Sequence, residues 1–328
     1  MYTQAGYSQR STRLLGLIIL LAMLFGILTG CSAQPTAVSF PTRPITYIIP
    51  FDPGGPSDKL AQLQVTELKR ILGQDIVLDY KVGAGGATGW TEVAKSDPDG
   101  YTLVAATLPH MIVQPMYGEV GYKTEQFDVI AIFASNLTGL AVLKSSPYNT
   151  LQELLAAAKA EPGKFKLGMS STLGTHQVAA LLLQKMTATK FELVAYTGSA
   201  PQMTAFLAGE IPLVFANTDD FVKYKDQVKI LALAADARFP AFPDVPTFKE
   251  QGLDLVVATE RGVAVPAGTP LEIAKKLEMA FLEASRTPEF QKAIKEQGFT
   301  QLVMGRDETK AYIDKQIVTY KGLADFFE

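Results

Sequence analysis

Pro44-Ile-Thr-Tyr-Ile-Ile-Pro-Phe-Asp-Pro-Gly-Gly-Pro-Ser-Asp58 holds a strand, a turn and the first residues of a helix in close succession. Ile45–Ile49 is a short run rich in β-branched and aromatic residues, and Pro50 stops it because proline cannot donate to a sheet ladder. Asp52–Ser57 has the composition of a turn. Ser57 then reads as a helix N-cap, with Leu60, Leu63, Leu68, Ile71 and Leu72 on one stripe and Gly73 as the stop. The alternation continues with a strand at Ile76–Tyr80, a glycine loop, a helix around Trp90–Lys95, a turn at Asp97-Pro-Asp-Gly100 and a strand at Tyr101–Ala106. Short strands alternating with helices predict an α/β fold whose sheet is largely parallel and covered on both faces.

A second round of the same pattern follows with different loops. Leu140–Leu143 reads as a strand, Thr150 as the cap of a helix over Leu151–Ala160, and Lys166–Ser170 as a strand. A helix is expected from Thr175 to Met186 and another from Ala200 to Leu207. Strands are expected at Phe191–Ala195, Ile211–Ala216 and Val228–Ala234. The proline-spaced Phe239–Thr247 segment must turn or run extended at the surface. Val263 begins a return strand, Thr269-Pro270 starts a helix, and the rest of the chain reads as helical.

The start of the chain has another character. Arg10 and Arg13 precede an apolar run, Leu14–Leu28, and no Asp or Glu occurs before Cys31, the single cysteine. This is the three-part form of a secretory signal. Small residues just before the cysteine, Thr29 and Gly30, resemble a bacterial lipobox, in which the Cys31 sulfur receives a diacylglycerol. Residues 1–30 are therefore expected to be a lipoprotein signal peptide and 31–42 a tether that anchors the protein to the membrane through lipid on Cys31, outside the cytoplasm. A lipidated Cys31 leaves no thiol pair for a disulfide, so the exported domain must be held by its core. The roughly 290 residues that follow are long enough to build one. The net charge is −3, and losing the leader arginines makes it more negative. With no basic run, nucleic acid is excluded as a partner.

Three loops join the C-terminal end of a strand to the start of a helix, where open α/β sheets bind ligands. They are Pro53-Gly-Gly-Pro-Ser-Asp58, Gly83-Ala-Gly-Gly86 and Ser170-Ser-Thr-Leu-Gly-Thr175. Helix N-termini present unpaired N–H groups and favour anions. Taken singly, each loop is accounted for by glycines that serve turn geometry. Three in equivalent places predict a small-anion site built without Lys or Arg.

Catalytic and cofactor patterns are poor. Gly83-Ala-Gly85-Gly86-Ala-Thr88 imitates a dinucleotide fingerprint, but Thr88 stands where the third glycine belongs. No cofactor and no metal site is expected, and no nucleophile–base pair can be named. His176 falls in the first turn of a helix, where it can face a ligand, and His110 follows Pro109; each reads first as a hydrogen-bonded structural or surface residue. Asp219-Asp220 read as acids that favour a helix start.

The ordered set of motifs resembles the substrate-binding proteins of tripartite tricarboxylate transporters, the Bug/TctC family. The residues that carry the resemblance are Pro44–Asp58, Gly83–Gly86, Pro98-Asp-Gly-Tyr-Thr-Leu103, Ser170-Ser171 with Gly174-Thr175, Tyr196-Thr-Gly-Ser-Ala-Pro201, Pro243-Asp-Val-Pro-Thr247 and Pro266-Ala-Gly-Thr-Pro270. It implies a two-lobed periplasmic-binding-protein fold of type II, each lobe a sheet flanked by helices. Lobe one would be 43–142 plus 263–328, and lobe two 143–262. It further implies a non-catalytic monomer that captures a small carboxylate in the interlobe cleft and passes it to a two-component, ion-gradient-driven permease. The implied ligand-binding residues are Phe51, Pro53, Gly54, Gly55, Ser57 and Asp58 with Gly83, Ala84, Gly85 and Gly86 from lobe one. Lobe two would add Ser170, Ser171, Thr172, Gly174, Thr175, His176, Tyr196, Gly198, Ser199 and Asn217. The chain departs from the family pattern where Ala216 replaces an acid before Asn217, where Val178 replaces a histidine, and at Val82. These departures point to a carboxylate without a nearby amine. A sensor that hands its ligand to a signalling partner and an exported α/β enzyme are the alternative readings.

Overall fold

The structure, a computed structural model, describes residues 39–327. The expected signal peptide, the expected lipidation site at Cys31 and the tether as far as residue 38 lie outside the described residues. The first half contains β1 (Ile45–Ile49), α1 (Pro56–Leu72), β2 (Ile76–Tyr80), α2 (Ala87–Val93), β3 (Thr102–Leu108) and α3 (His110–Tyr117). Helix α1 begins one residue before the expected cap. Gly55 occupies the cap position in extended backbone, and Pro56 takes the first turn, where its missing N–H has no cost. Ser57 therefore lies inside the helix, and its hydroxyl is free for a distant partner. Gly73 closes α1 at φ 71°.

Strand β4 spans Phe127–Leu143, although only its last residues were expected as strand. Its 17 residues extend over about 55 Å. They are buried almost throughout, so both faces are covered. The remaining elements are α4 (Leu151–Ala160), β5 (Lys166–Met169), α5 (Thr175–Thr187), β6 (Glu192–Ala195), α6 (Ser199–Leu207), β7 (Leu213–Asn217), α7 (Thr218–Lys223), β8 (Val228–Leu233), β9 (Ala258–Pro266), α8 (Leu271–Ala284), α9 (Pro288–Glu296), β10 (Thr300–Gly305) and α10 (Arg306–Lys321). Thr150 caps α4 as expected, in a reciprocal box with Glu153.

The sheet runs β2-β1-β3-β9-β4-β7-β5-β6, with β10 and β8 also on β4. It is mixed, which corrects the expectation of a largely parallel one. β1 is parallel to β2 and β3, and β5 to β6 and β7, but β9 and every partner of β4 run antiparallel. The reason is connectivity: β4 and β9 carry the chain between the halves without a crossover helix, and antiparallel pairing needs none. β4 changes partners midway. Phe127–Leu137 pairs with β9, and Thr138–Val142 with β7. The C-terminal region is not wholly helical either. Thr300–Gly305 forms β10 against β4. Among the described residues, no helix is long and apolar enough to cross a membrane.

The core below the first loops is aromatic. Trp90 is fully buried, donates from Nε1 to the Ala105 carbonyl at 3.0 Å, and meets Phe51 and Tyr122 edge to face. This packing supports the glycine loop from beneath.

Candidate ligand-binding site

The glycine loop is built from left-handed backbone. Gly83, Gly85 and Gly86 have φ of 141°, 61° and 100°, and even Ala84 sits at 48°. Glycine is needed at Gly86 also for space, because a Cβ there would lie 2.6 Å from the Trp90 ring and 3.1 Å from Phe51. Gln114 of α3 holds the loop by donating to the Gly85 carbonyl at 2.9 Å. The Phe51 and His110 rings meet in a T-shaped arrangement, with centroids 6.3 Å apart. His110 Nε2 lies 3.4 Å from Ser171 Oγ. A Cβ on Gly174 would stand 2.5 Å from both of those atoms. Phe51, the glycine loop and the Ser170–Gly174 loop thus converge around His110, which the sequence reading left undecided.

Asp58 and Ser57 do different work from the glycines. The Asp58 carboxylate is buried and accepts from the Gly54 N–H at 2.6 Å, the Tyr80 hydroxyl at 2.7 Å and Gln62. Burial opposes its ionisation, but these donors outweigh it and hold the carboxyl below the usual range. Asp58 therefore shapes the first loop from behind. Ser57 Oγ accepts from Arg261 Nη1 at 3.1 Å.

The third loop is held by its own helix. The Leu173 N–H donates to Gln177 Oε1 at 2.6 Å, and the Ser170 N–H donates to His176 Nδ1 at 3.2 Å. His176 is buried, and its Nε2 lies 3.2 Å from Asn217 Oδ1. Thr138, paired with Asn217 across β4 and β7, donates its hydroxyl to the same oxygen at 3.0 Å. Thr175 is buried and accepts from the Thr259 hydroxyl at 2.8 Å. Burial is the main reason that the His176 and His110 pKa values fall to about 4 and about 3. Both imidazoles are neutral at pH 7.

Gly54 and Gly55 meet Ser199 across a cavity of about 320 Å³, lined also by Lys59, Asp219 and Asp220. Ser199 donates to the Asp220 carboxylate, and Asn136 Nδ2 donates to Asp219 Oδ1 at 2.9 Å. The acids open α7 as expected, but they also face this space. Burial, reinforced by Asp219, pushes the Asp220 pKa up to about 7. The acid missing at Ala216 therefore does not leave the region without carboxylates. Gly198 precedes α6 at φ 158°, Tyr196 packs against the Met203–Phe206 cluster, and Pro53 and Thr172 are exposed.

Arg261 lies between these groups and was not foreseen. It is only 7% exposed, and its Nε donates to Asn136 Oδ1 at 2.7 Å. Among the described residues it makes no direct ion pair. Burial lowers its pKa to about 10, against the attraction of Asp219, Asp220 and Glu260. The charged pair Glu260-Arg261 was visible in the sequence, but the expected strand began at Val263, so the pair fell outside it. Among the described residues, no cluster of His, Cys, Asp and Glu is placed to hold a metal ion.

The sequence profile of the tripartite tricarboxylate transporter family receptor matches residues 60–325. The chain belongs to this family. The receptor is similar in structure to an R. palustris protein solved with adipate, at 26% identity and TM-score 0.80, over 88% of this chain and 98% of that one. It is similar to MatC from Rhodopseudomonas palustris, solved with malate, at 26% identity and TM-score 0.78, over 88% and 100%. It is also similar to the periplasmic binding protein BugD, at 26% identity and TM-score 0.77, over 88% and 97%. The two-lobed binding-protein fold is thereby established, and the chain is a solute-binding receptor rather than an enzyme.

Proposed function

We propose that this receptor captures a small carboxylate outside the cytoplasm and delivers it to a tripartite tricarboxylate-type permease. The observation that carries the reading is the convergence of Phe51, the Gly83–Gly86 loop and the Ser170–Gly174 loop around the neutral His110, a setting of backbone N–H groups and hydroxyls suited to an anion. Binding of adipate and malate by two relatives of similar fold supports the ligand class. The lobes meet where β4 exchanges β9 for β7, and closure about that point brings the loops onto the ligand. The leader pattern supports export and a lipid on Cys31. Two acyl chains hold a protein at a membrane where one is marginal.

A thermal-shift screen of the purified chain against mono-, di- and tricarboxylates tests the ligand class. A ligand at one hundred times its Kd adds about 2.7 kcal/mol of stability. Silence across the whole series would remove the carboxylate reading. Cys31→Ser is expected to abolish lipid labelling and membrane retention; a variant still labelled and retained would remove the anchor.

A further inference from the structure

We propose that Asn217 selects an oxygen acceptor over an ammonium group in this cleft, and that His176 is the positioning residue that fixes Asn217 as a donor. The inference rests on the carboxylate reading above and names the atom that enforces it.

The orientation follows from one group that has no choice. The Ser170 backbone N–H must donate, and it points at His176 Nδ1. That nitrogen is therefore the acceptor, and the neutral ring carries its proton on Nε2. Nε2–H then donates to Asn217 Oδ1, which also takes the Thr138 hydroxyl. Flipping the carboxamide would set its NH₂ against the His176 N–H, two donors face to face. The amide assignment is thus dictated by the network. With Oδ1 occupied twice, Asn217 Nδ2 donates to no residue among the described ones, although Asn217 is only 7% exposed. Asn217 stands at the C-terminal end of β7, beside the third loop. Nδ2 keeps contact with solvent, so it is a donor that none of the described residues has taken and that a ligand acceptor can reach. A ligand carboxylate oxygen satisfies it, whereas an ammonium would face a second donor.

The test uses calorimetry on the full chain with adipate, malate, succinate and citrate, each beside an amino acid of similar length. Asn217→Asp retains Oδ1 for His176 and Thr138 and exchanges the donor for an anion. It is expected to weaken the carboxylate that binds the wild type at least 100-fold, with little change in Tm. His176→Gln, which preserves a donor near Nε2, should stay within about fivefold, whereas His176→Leu should lose about 30-fold or more. Asn217→Asp binding within threefold of wild type overturns the Asn217 assignment and leaves the carboxylate reading intact. His176→Leu binding as wild type overturns the positioning role. If no carboxylate binds the wild type, the carboxylate reading falls and this inference with it. Side-chain ¹H–¹⁵N spectra of the wild type decide the matter should a variant not fold: His176 must show the Nε2–H tautomer, and an Nδ1–H tautomer overturns the proposal.

Discussion

Arg261 and Ser57 are 204 positions apart in the chain, and Arg261 Nη1 donates to Ser57 Oγ at 3.1 Å. The contact ties the middle of β9 to the first turn of α1. Through Asn136 it continues to Asp219, so one buried guanidinium joins the first loop to the start of α7. Arg261→Leu leaves Ser57 and Asn136 without a donor and removes the positive charge felt by Asp219, Asp220 and Glu260. It is expected to cost roughly 3 kcal/mol of stability and to weaken carboxylate binding more than tenfold. Urea unfolding and calorimetry measure the two effects separately.

Asp58→Asn removes the charge that gathers the Gly54 N–H and the Tyr80 hydroxyl. A loss of about 2 kcal/mol is expected at pH 7. The wild-type carboxyl is depressed in the folded state, so its contribution is present above the ordinary carboxylate pKa and lost as pH falls through the folded value. The gap between variant and wild type should therefore close in strong acid. A gap unchanged at pH 2 would show that Asp58 acts by shape alone.

Asp220 responds to pH with the opposite sign. The folded chain keeps this proton up to about pH 7, while the unfolded chain releases it near 3.8. Between those values the folded state binds more protons, so stability falls as pH rises. Lys59, Lys223 and Arg261 moderate the effect, and Asp219 strengthens it. Asp220→Asn should match the wild type near pH 4 and exceed it by roughly 2 kcal/mol at pH 8. Thermal melts across that range would refute the assignment if the two curves ran parallel.

Gly174→Ala tests the packing around His110. Its Cβ would lie 2.5 Å from His110 Nε2 and from Ser171 Oγ, so the third loop must shift. About 1–3 kcal/mol of stability is expected to be lost, together with carboxylate affinity. Wild-type affinity in a folded variant would place the ligand away from these loops.

Much of this was legible locally. The β1–α1 unit, the Gly73 stop, the Thr150 cap and the three strand-to-helix loops rest on signals within a few residues. Long-range pairing was not. Nothing local tells that Phe127–Gly139 continues into Leu140–Leu143, because Ser135-Asn-Leu-Thr-Gly139 looks like a break; those polar residues find partners across the sheet, where Thr138 meets Asn217 and Asn136 meets Arg261. β10 was hidden for a similar reason, since its antiparallel place against β4 exists only once β4 is formed.

The sequence by itself determined which loops could receive an anion, since helix starts and glycine geometry are properties of a few neighbouring residues. It also pointed to hydroxyls and backbone N–H groups as the donors an anion would meet there, because those loops hold no Lys or Arg. Only the tertiary structure decided the roles of the charged and ionisable groups. Asp58 became a brace, His176 a partner of Asn217, and Arg261 the link between the first loop and α7. A side chain's donors and acceptors are allotted by whatever folding brings within about 3 Å of them, and for these residues the partners lie as many as 204 positions away in the chain.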